Sequence, residues 1–183
     1  PVDWNSNEQR YNWELLFCEL YAGGKYKDGD ENYEFSLGLN GLGLCSAQYS
    51  SEYMDVTVRR DGMEYTLHFE KGENQTGTKS GFHKKKYNKK DTGTIIRWKP
   101  DLEVFTDIAI PEYYYLDTLK RQAVVNPHLK FIFRNETPEG MVETEFCYDN
   151  GITDYVAEIA EEKNLTSIQS LSSERRGKDR SDK

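Results

Sequence analysis

Apolar and polar residues alternate along this chain with two different periods, and the switches between them mark its elements. Trp13, Leu16, Phe17 and Leu20 recur at i, i+3, i+4 and i+7, which places them on one face of a helix that Gly23 and Gly24 should close. Ser6 and Gln9 have the spacing of a capping box, so the helix is expected to start beside them. Residues 25–32, KYKDGDEN, are polar and turn-rich and read as an exposed loop. Residues 35–46, FSLGLNGLGLCS, space three glycines with apolar residues, and Leu42, Cys45 and Tyr49 then suggest a short helix.

The period changes to two in the middle of the chain. Met54, Val56 and Val58 alternate with Asp55, Thr57 and Arg59; Asp61 and Gly62 form a tight turn; Met63, Tyr65, Leu67 and Phe69 carry the alternation back. A Gly- and Lys-rich interval, 71–90, is expected to be a loop, and residues 94–99 a third strand halted by Pro100. Pro111 begins a helix with Leu116, Leu119 and Ala123 inward and Pro127 beyond its end. Residues 129–134 and 141–148 flank the turn NETPEG as another hairpin. Asn150 and Gly151 turn the chain into a last short helix with Ile152, Val156 and Ile159, after which the pattern fades into a polar end. Hairpins dominate the strand connections. The fold class is therefore α+β, a two-layer sandwich whose mixed, mostly antiparallel sheet carries helices on one face.

Composition narrows the function classes. A chain of 183 residues is the size of one domain, and 36% hydrophobic against 31% charged residues is a globular balance. The 24 Lys plus Arg against 32 Asp plus Glu leave a net charge of -8, which argues against a broad nucleic-acid or anionic-membrane surface. No run nears the roughly 18 apolar residues of a spanning helix. Cys18, Cys45 and Cys147 are far apart and odd in number, which suggests a reducing, cytoplasmic setting and neither a disulfide framework nor a zinc site. His68, His83 and His128 have no second ligand at chelating spacing. Lys84, Lys85, Lys86, Lys89 and Lys90 form one concentrated basic patch, read either as a solvated loop or as a local phosphate-backbone contact. The chain opens on Pro1 rather than Met, so it is expected to be a segment of a longer polypeptide.

The stretch Gly38, Leu39, Asn40, Gly41, Leu42, Gly43 carries the most chemical information. Glycine lets backbone approach a ligand, and a helix starting beyond it would aim free amides at an anion. The stretch lacks the Lys-Ser/Thr ending of a P-loop and does not sit between a parallel strand and a helix. On the residues alone, a structural loop and a phosphate cradle both stay open.

Motifs in a fixed order favour the cradle. Residues 20–26 (LYAGGKY), 36–43 (SLGLNGLG), Arg60-Asp61-Gly62, Asp91-Thr92-Gly93-Thr94, Trp98-Lys99-Pro100-Asp101 and Asn150-Gly151-Ile152 resemble, in this order, the ATPase domain of type IIA DNA topoisomerase B subunits, the gyrase B and topoisomerase IV B family. The resemblance covers residues 1–160, with 161–183 leading toward a transducer domain. It implies the sandwich shared by gyrase, chaperone, MutL and histidine-kinase ATPases, incomplete in this segment. It implies ATP and Mg2+ as cofactors of the parent protein. Gly38, Leu39, Asn40, Gly41, Leu42 and Gly43 would line the triphosphate, Lys25 would lie near the phosphates, Thr94 under the adenine, and Arg60 at the pocket mouth. Leu37, Asn40 and Glu34 depart from the family pattern. The family's catalytic glutamate, magnesium-binding asparagine and adenine-reading aspartate would precede Pro1, so the chain is expected to hold no catalytic or metal-binding residue and to be inactive alone. The parent would change DNA topology by double-strand passage, pairing its N-domains and meeting DNA and the A subunit through other parts, with no membrane involvement. Tyr113, Tyr114 and Tyr115 would not be the cleaving tyrosine. The competing class is a non-enzymatic mixed-sheet interaction domain whose glycine loop is a turn only.

Overall fold

The computed structural model describes residues 2–22, 41–160, 166–171 and 173. They fall into two units, Pro1–Ile108 and Ala109–Lys183. The first begins with a small hairpin, β1 (Trp4–Asn5) against β2 (Arg10–Tyr11), and runs directly into α1 (Asn12–Cys18). The expected capping box at Ser6 and Gln9 is not formed. Asn5 Oδ1 accepts the backbone N–H groups of Asn7 (3.1 Å) and Glu8 (3.2 Å), and Gln9 sits at φ 54°, so this stretch turns instead of starting a helix. The cap lies later, where the Glu14 carboxylate accepts the Tyr11 N–H at 3.0 Å. The helix also ends earlier than expected, at Cys18, with Glu19 already extended.

After α2 (Gly43–Tyr49) the chain builds one antiparallel sheet: β3 (Ser51–Arg60), β4 (Met63–Glu70), β5 (Glu73–Asn74), β6 (His83–Lys86) and β7 (Gly93–Pro100). Its order is β5-β4-β3-β7, with β6 pairing β4 beside β5. The Asp61–Gly62 turn, at φ 53° and 69°, is the two-residue hairpin connection expected from the sequence. Register puts Met54 opposite Phe69 and Trp98, Val56 opposite Leu67 and Ile96, and Val58 opposite Tyr65 and Thr94. Trp13 and Phe17 of α1 close this face with Met54, Val56, Leu67 and Phe69, all buried. The lysine-rich interval is more ordered than a loop. β6 pairs with Met63–Thr66, because the Glu64 carboxylate takes Lys85 Nζ at 2.8 Å and Arg59 Nε at 2.8 Å. Those two cations, Lys85 first, hold the Glu64 carboxyl below its ordinary value.

The opposite face of the sheet is polar. His68 Nδ1 meets Asp55 Oδ1 at 2.7 Å across the strands, and its Nε2 meets Glu70 Oε1 at 3.2 Å. Arg97 of β7 stands opposite Asp55, and Thr76 takes the His68 backbone N–H at 3.0 Å.

The second unit sets α3 (Glu112–Val125) and α4 (Ile152–Ala160) with the hairpin β8 (Phe131–Thr137) and β9 (Gly140–Phe146). Pro111 is the residue before the first helical position rather than the first itself. Ala123, Val124 and Tyr148 are its core, with Phe131, Phe146 and Tyr155 against them. Tyr148 Oη donates to Glu158 and Lys120 Nζ meets the same carboxylate, both at 2.5 Å, which ties α4 to the unit by its polar side. Ile152, Val156 and Ile159 form the helical stripe expected from sequence, yet all three are exposed. The polar end predicted beyond Glu161 lies largely outside the described residues. No helix among the described residues is long and apolar enough to cross a membrane.

Two outcomes follow from this packing. At Gly81, φ is 73° and an added Cβ would stand 2.2 Å from Trp13 Cζ2. Gly81→Ala should therefore destabilise the first unit by on the order of 3 kcal/mol, backbone strain and overpacking together, read as a lowered midpoint in chemical denaturation. His68 has its folded-state pKa raised above 6.5, by Asp55 first and then Glu70. Its contribution to stability is thus complete below the unfolded value and lost as pH rises through the folded one. The thermal midpoint of the native chain should fall between pH 6 and pH 8 by more than that of His68→Gln; parallel curves would exclude this contribution.

Candidate functional site

The start of α2 is built for exposure of its backbone. Gly41 takes φ 60°, Leu42 is the N-cap residue, and no side chain caps the helix. The first helical bond runs from the Ser46 N–H to the Leu42 carbonyl at 2.9 Å, so the amides of Gly43, Leu44 and Cys45 have no intrahelical acceptor. No atom of the described residues lies within 4 Å of where a Gly43 Cβ would stand. With seven residues α2 is too short for much of a dipole, and any attraction for an anion rests on these amides.

Beside this turn the described helices are narrower than the sheet. Thr94, Ile96 and Trp98 alternate onto the same face as Val58, Val56 and Met54, yet all three are exposed, because α1 and α2 cover β3 and β4 but leave β7 open. A concavity of about 200 Å³ opens between them, lined by Leu44, Phe17, Val56, Ile96, Val2 and the hydroxyl-bearing Thr94. Leu44, one residue past Gly43, and Thr94 of the third predicted strand thus line one slot, whose polar handle among the described residues is the Thr94 hydroxyl.

Arg60, expected at a pocket mouth, does not line this slot. Its Nε holds Asp61 Oδ2 at 2.8 Å and its Nη1 holds Asp3 Oδ2 at 3.0 Å, and these carboxylates, Asp61 first, strengthen its hold on the proton. Asp3 adjoins Val2, which is 2% exposed and lines the slot, so the Arg60 ion pair lies next to one wall without entering it. Lys25, Gly38, Leu39 and Asn40, with Glu34 and Leu37, lie outside the described residues. Among the described residues no cluster of three His, Cys, Asp or Glu could hold a metal ion.

Some of the arrangement gave no sign in the sequence. Gln48 is fully buried in α2, with neither side-chain polar atom hydrogen-bonded. Cys18 and Cys45 lie close enough to interact, and burial pushes the Cys18 thiol up to about 11, which leaves it protonated and unreactive. The two walls of the slot are some fifty residues apart in sequence, and no spacing rule connects them.

Comparison with known proteins relates the chain to a family. No family model matches the chain. The topoisomerase IV B subunit of Salmonella typhimurium is 34% identical over 163 residues, which are 86% of this chain and 24% of that protein. The gyrase B subunit of Treponema denticola is 31% identical over 166 residues, 90% of this chain and 25% of that protein. The chain therefore spans about a quarter of the length of the curated relatives it matches. Among solved structures, the ATPase domain of Thermus thermophilus gyrase B in complex with an aminocoumarin superposes with a TM-score of 0.69 at 22% identity, over 88% of this chain and 38% of that one. In sequence and in fold, the chain belongs to the family of DNA gyrase and topoisomerase IV B subunits, over a segment folded like part of their ATPase domain.

Proposed function

We propose that this chain supplies the glycine-turn and adenine-strand part of the ATP site of a type II topoisomerase B subunit. The observation that carries this reading is the slot in which Leu44, just after Gly43, and Thr94 face one another. Apolar walls with one well-placed polar group suit a flat heteroaromatic base: Phe17, Val56 and Ile96 would exclude water, and the Thr94 hydroxyl, which both donates and accepts, would orient the base. The amides at the start of α2, which no side chain of the described residues caps, would hold phosphate oxygens. Lys25 and residues 38–42 would complete the phosphate contacts.

The groups that carry out the chemical step would lie in other parts of the parent. Phosphoryl transfer from ATP to water needs a base that positions the water and a cation that balances charge on the phosphates. When bound, Mg2+ would supply the second, held by residues outside this segment, as would be the base. This chain's own residues bind and orient. In the parent, ATP-driven pairing of N-domains would couple to passage of one duplex through another, with DNA and an A subunit as partners.

Replacing Thr94 by Val keeps the shape and removes the hydroxyl. Because Thr94 is exposed, its loss should leave the thermal midpoint almost unchanged. In the longer subunit carrying this chain, affinity for a non-hydrolysable ATP analogue should fall about tenfold, the worth of one hydrogen bond left unmade. Titration by calorimetry reads both the variant and the unaltered subunit. An unaltered subunit that ignores the analogue would overturn the ATP reading; equal affinity for the two would remove Thr94 from the site.

A further inference from the structure

Seven cations and three carboxylates lie in residues 59–64 and 83–91, within a chain whose net charge is -8. The structure brings these segments together by pairing β6 to β4. Each of the three carboxylates is already engaged. Asp61 binds Arg60, Glu64 binds Arg59 and Lys85, and Asp91 accepts the Tyr87 hydroxyl at 2.9 Å. Lys86, Lys89 and Lys90 form no ion pair among the described residues, and all are exposed.

The cluster is also held in place at both ends. Lys85 anchors β6 through Glu64, the Tyr87 N–H bonds the Gly62 carbonyl at 2.8 Å, and the Arg59 guanidinium lies 4.6 Å from the centre of the Tyr87 ring. A polyanion binding here would meet charges on a frame already ordered, and would lose less free energy to ordering than at a floppy loop. We propose that Lys86, Lys89 and Lys90, presented by β6 and the turn after it, form a contact surface for the phosphate backbone of duplex DNA. This rests on the reading of the parent as a subunit that handles DNA.

The side chains select the form of nucleic acid. Lysine meets phosphate as a point charge, without the planar fork that reads base edges, so the contact is independent of sequence. Single strands are held by bases stacked on open aromatic rings. Here both nearby rings are occupied, Tyr87 by Arg59 and Tyr65 by Lys84 Nζ at 5.2 Å. Backbone contact without stacking fits a duplex.

The alternative role for lysines on a strand edge is to keep another chain from pairing with it. The two roles separate in the longer subunit bearing K86Q, K89Q and K90Q together, a triple change that spares Lys84 and Lys85, which pack on Tyr65 and Glu64. Affinity for a random-sequence duplex is measured by fluorescence anisotropy across potassium chloride concentrations, with a single strand of the same length alongside. The expected result is at least tenfold weaker duplex binding near 0.1 M salt and a log-log salt slope shallower by about 2.7, three contacts at 0.9 each. Single-strand binding should change less, and the nucleotide titration should be unaltered. Unchanged duplex affinity and slope would overturn the proposal, including when the variant aggregates more readily. An unaltered subunit that binds duplex but no nucleotide would sink the ATP reading and leave this surface standing.

Discussion

The first unit depends on one strand being sandwiched twice. β3 pairs along nearly its whole length with both β4 and β7, and its inward side chains, Met54 and Val56, are 1% exposed under α1 and α2. Covering this stripe provides the main apolar driving force in the unit, since the opposite face of the sheet is polar. The covering is uneven. Trp13 and Phe17 lie over β3 and β4, and no described helix reaches β7. The slot at Thr94 is thus the margin where a helix layer ends before the sheet beneath it does. Among the described residues, pocket and core are two parts of one surface, divided by how far α1 and α2 extend over it.

Much of that surface could be read from the sequence. The alternation through Met54, Val56 and Val58, the Asp61–Gly62 turn and the return through Leu67 and Phe69 are local signals, and the register agrees with them residue by residue. The start of α1 was obscured by a competing local signal, since Asn5 Oδ1 draws the backbone amides of Asn7 and Glu8 into a turn. β6 carried no signal of its own. Four charged or titratable residues in a row have low strand propensity, and only a partner strand with a carboxylate facing Lys85 makes them extended. Propensity lost to pairing.

The site divides in the same way. Glycines at 41 and 43 are suggestive in any sequence, but pairing the turn with Thr94 needed either the family resemblance or the fold. Gln48 had no signal at all: glutamine on a short helix reads as a surface residue, and only packing shows it buried. The stripe on α4 is the converse case. Periodicity in Ile152, Val156 and Ile159 specifies a helix with an apolar side, yet it carries no information about what that side meets, and among the described residues it meets solvent.

Trp13 links two regions of the first unit. Its indole N–H bonds the Ser80 carbonyl at 2.8 Å, and its ring fills the space left by the missing side chain of Gly81, two residues before β6 begins. The same helix places Phe17 at the slot. A bolt of this kind permits neither sliding nor rotation of α1 against residues 80–82 without breaking the hydrogen bond. A tilt of α1 at the slot would therefore either shift residues 80–82, at the root of the lysine strand, or cost the Trp13–Ser80 bond.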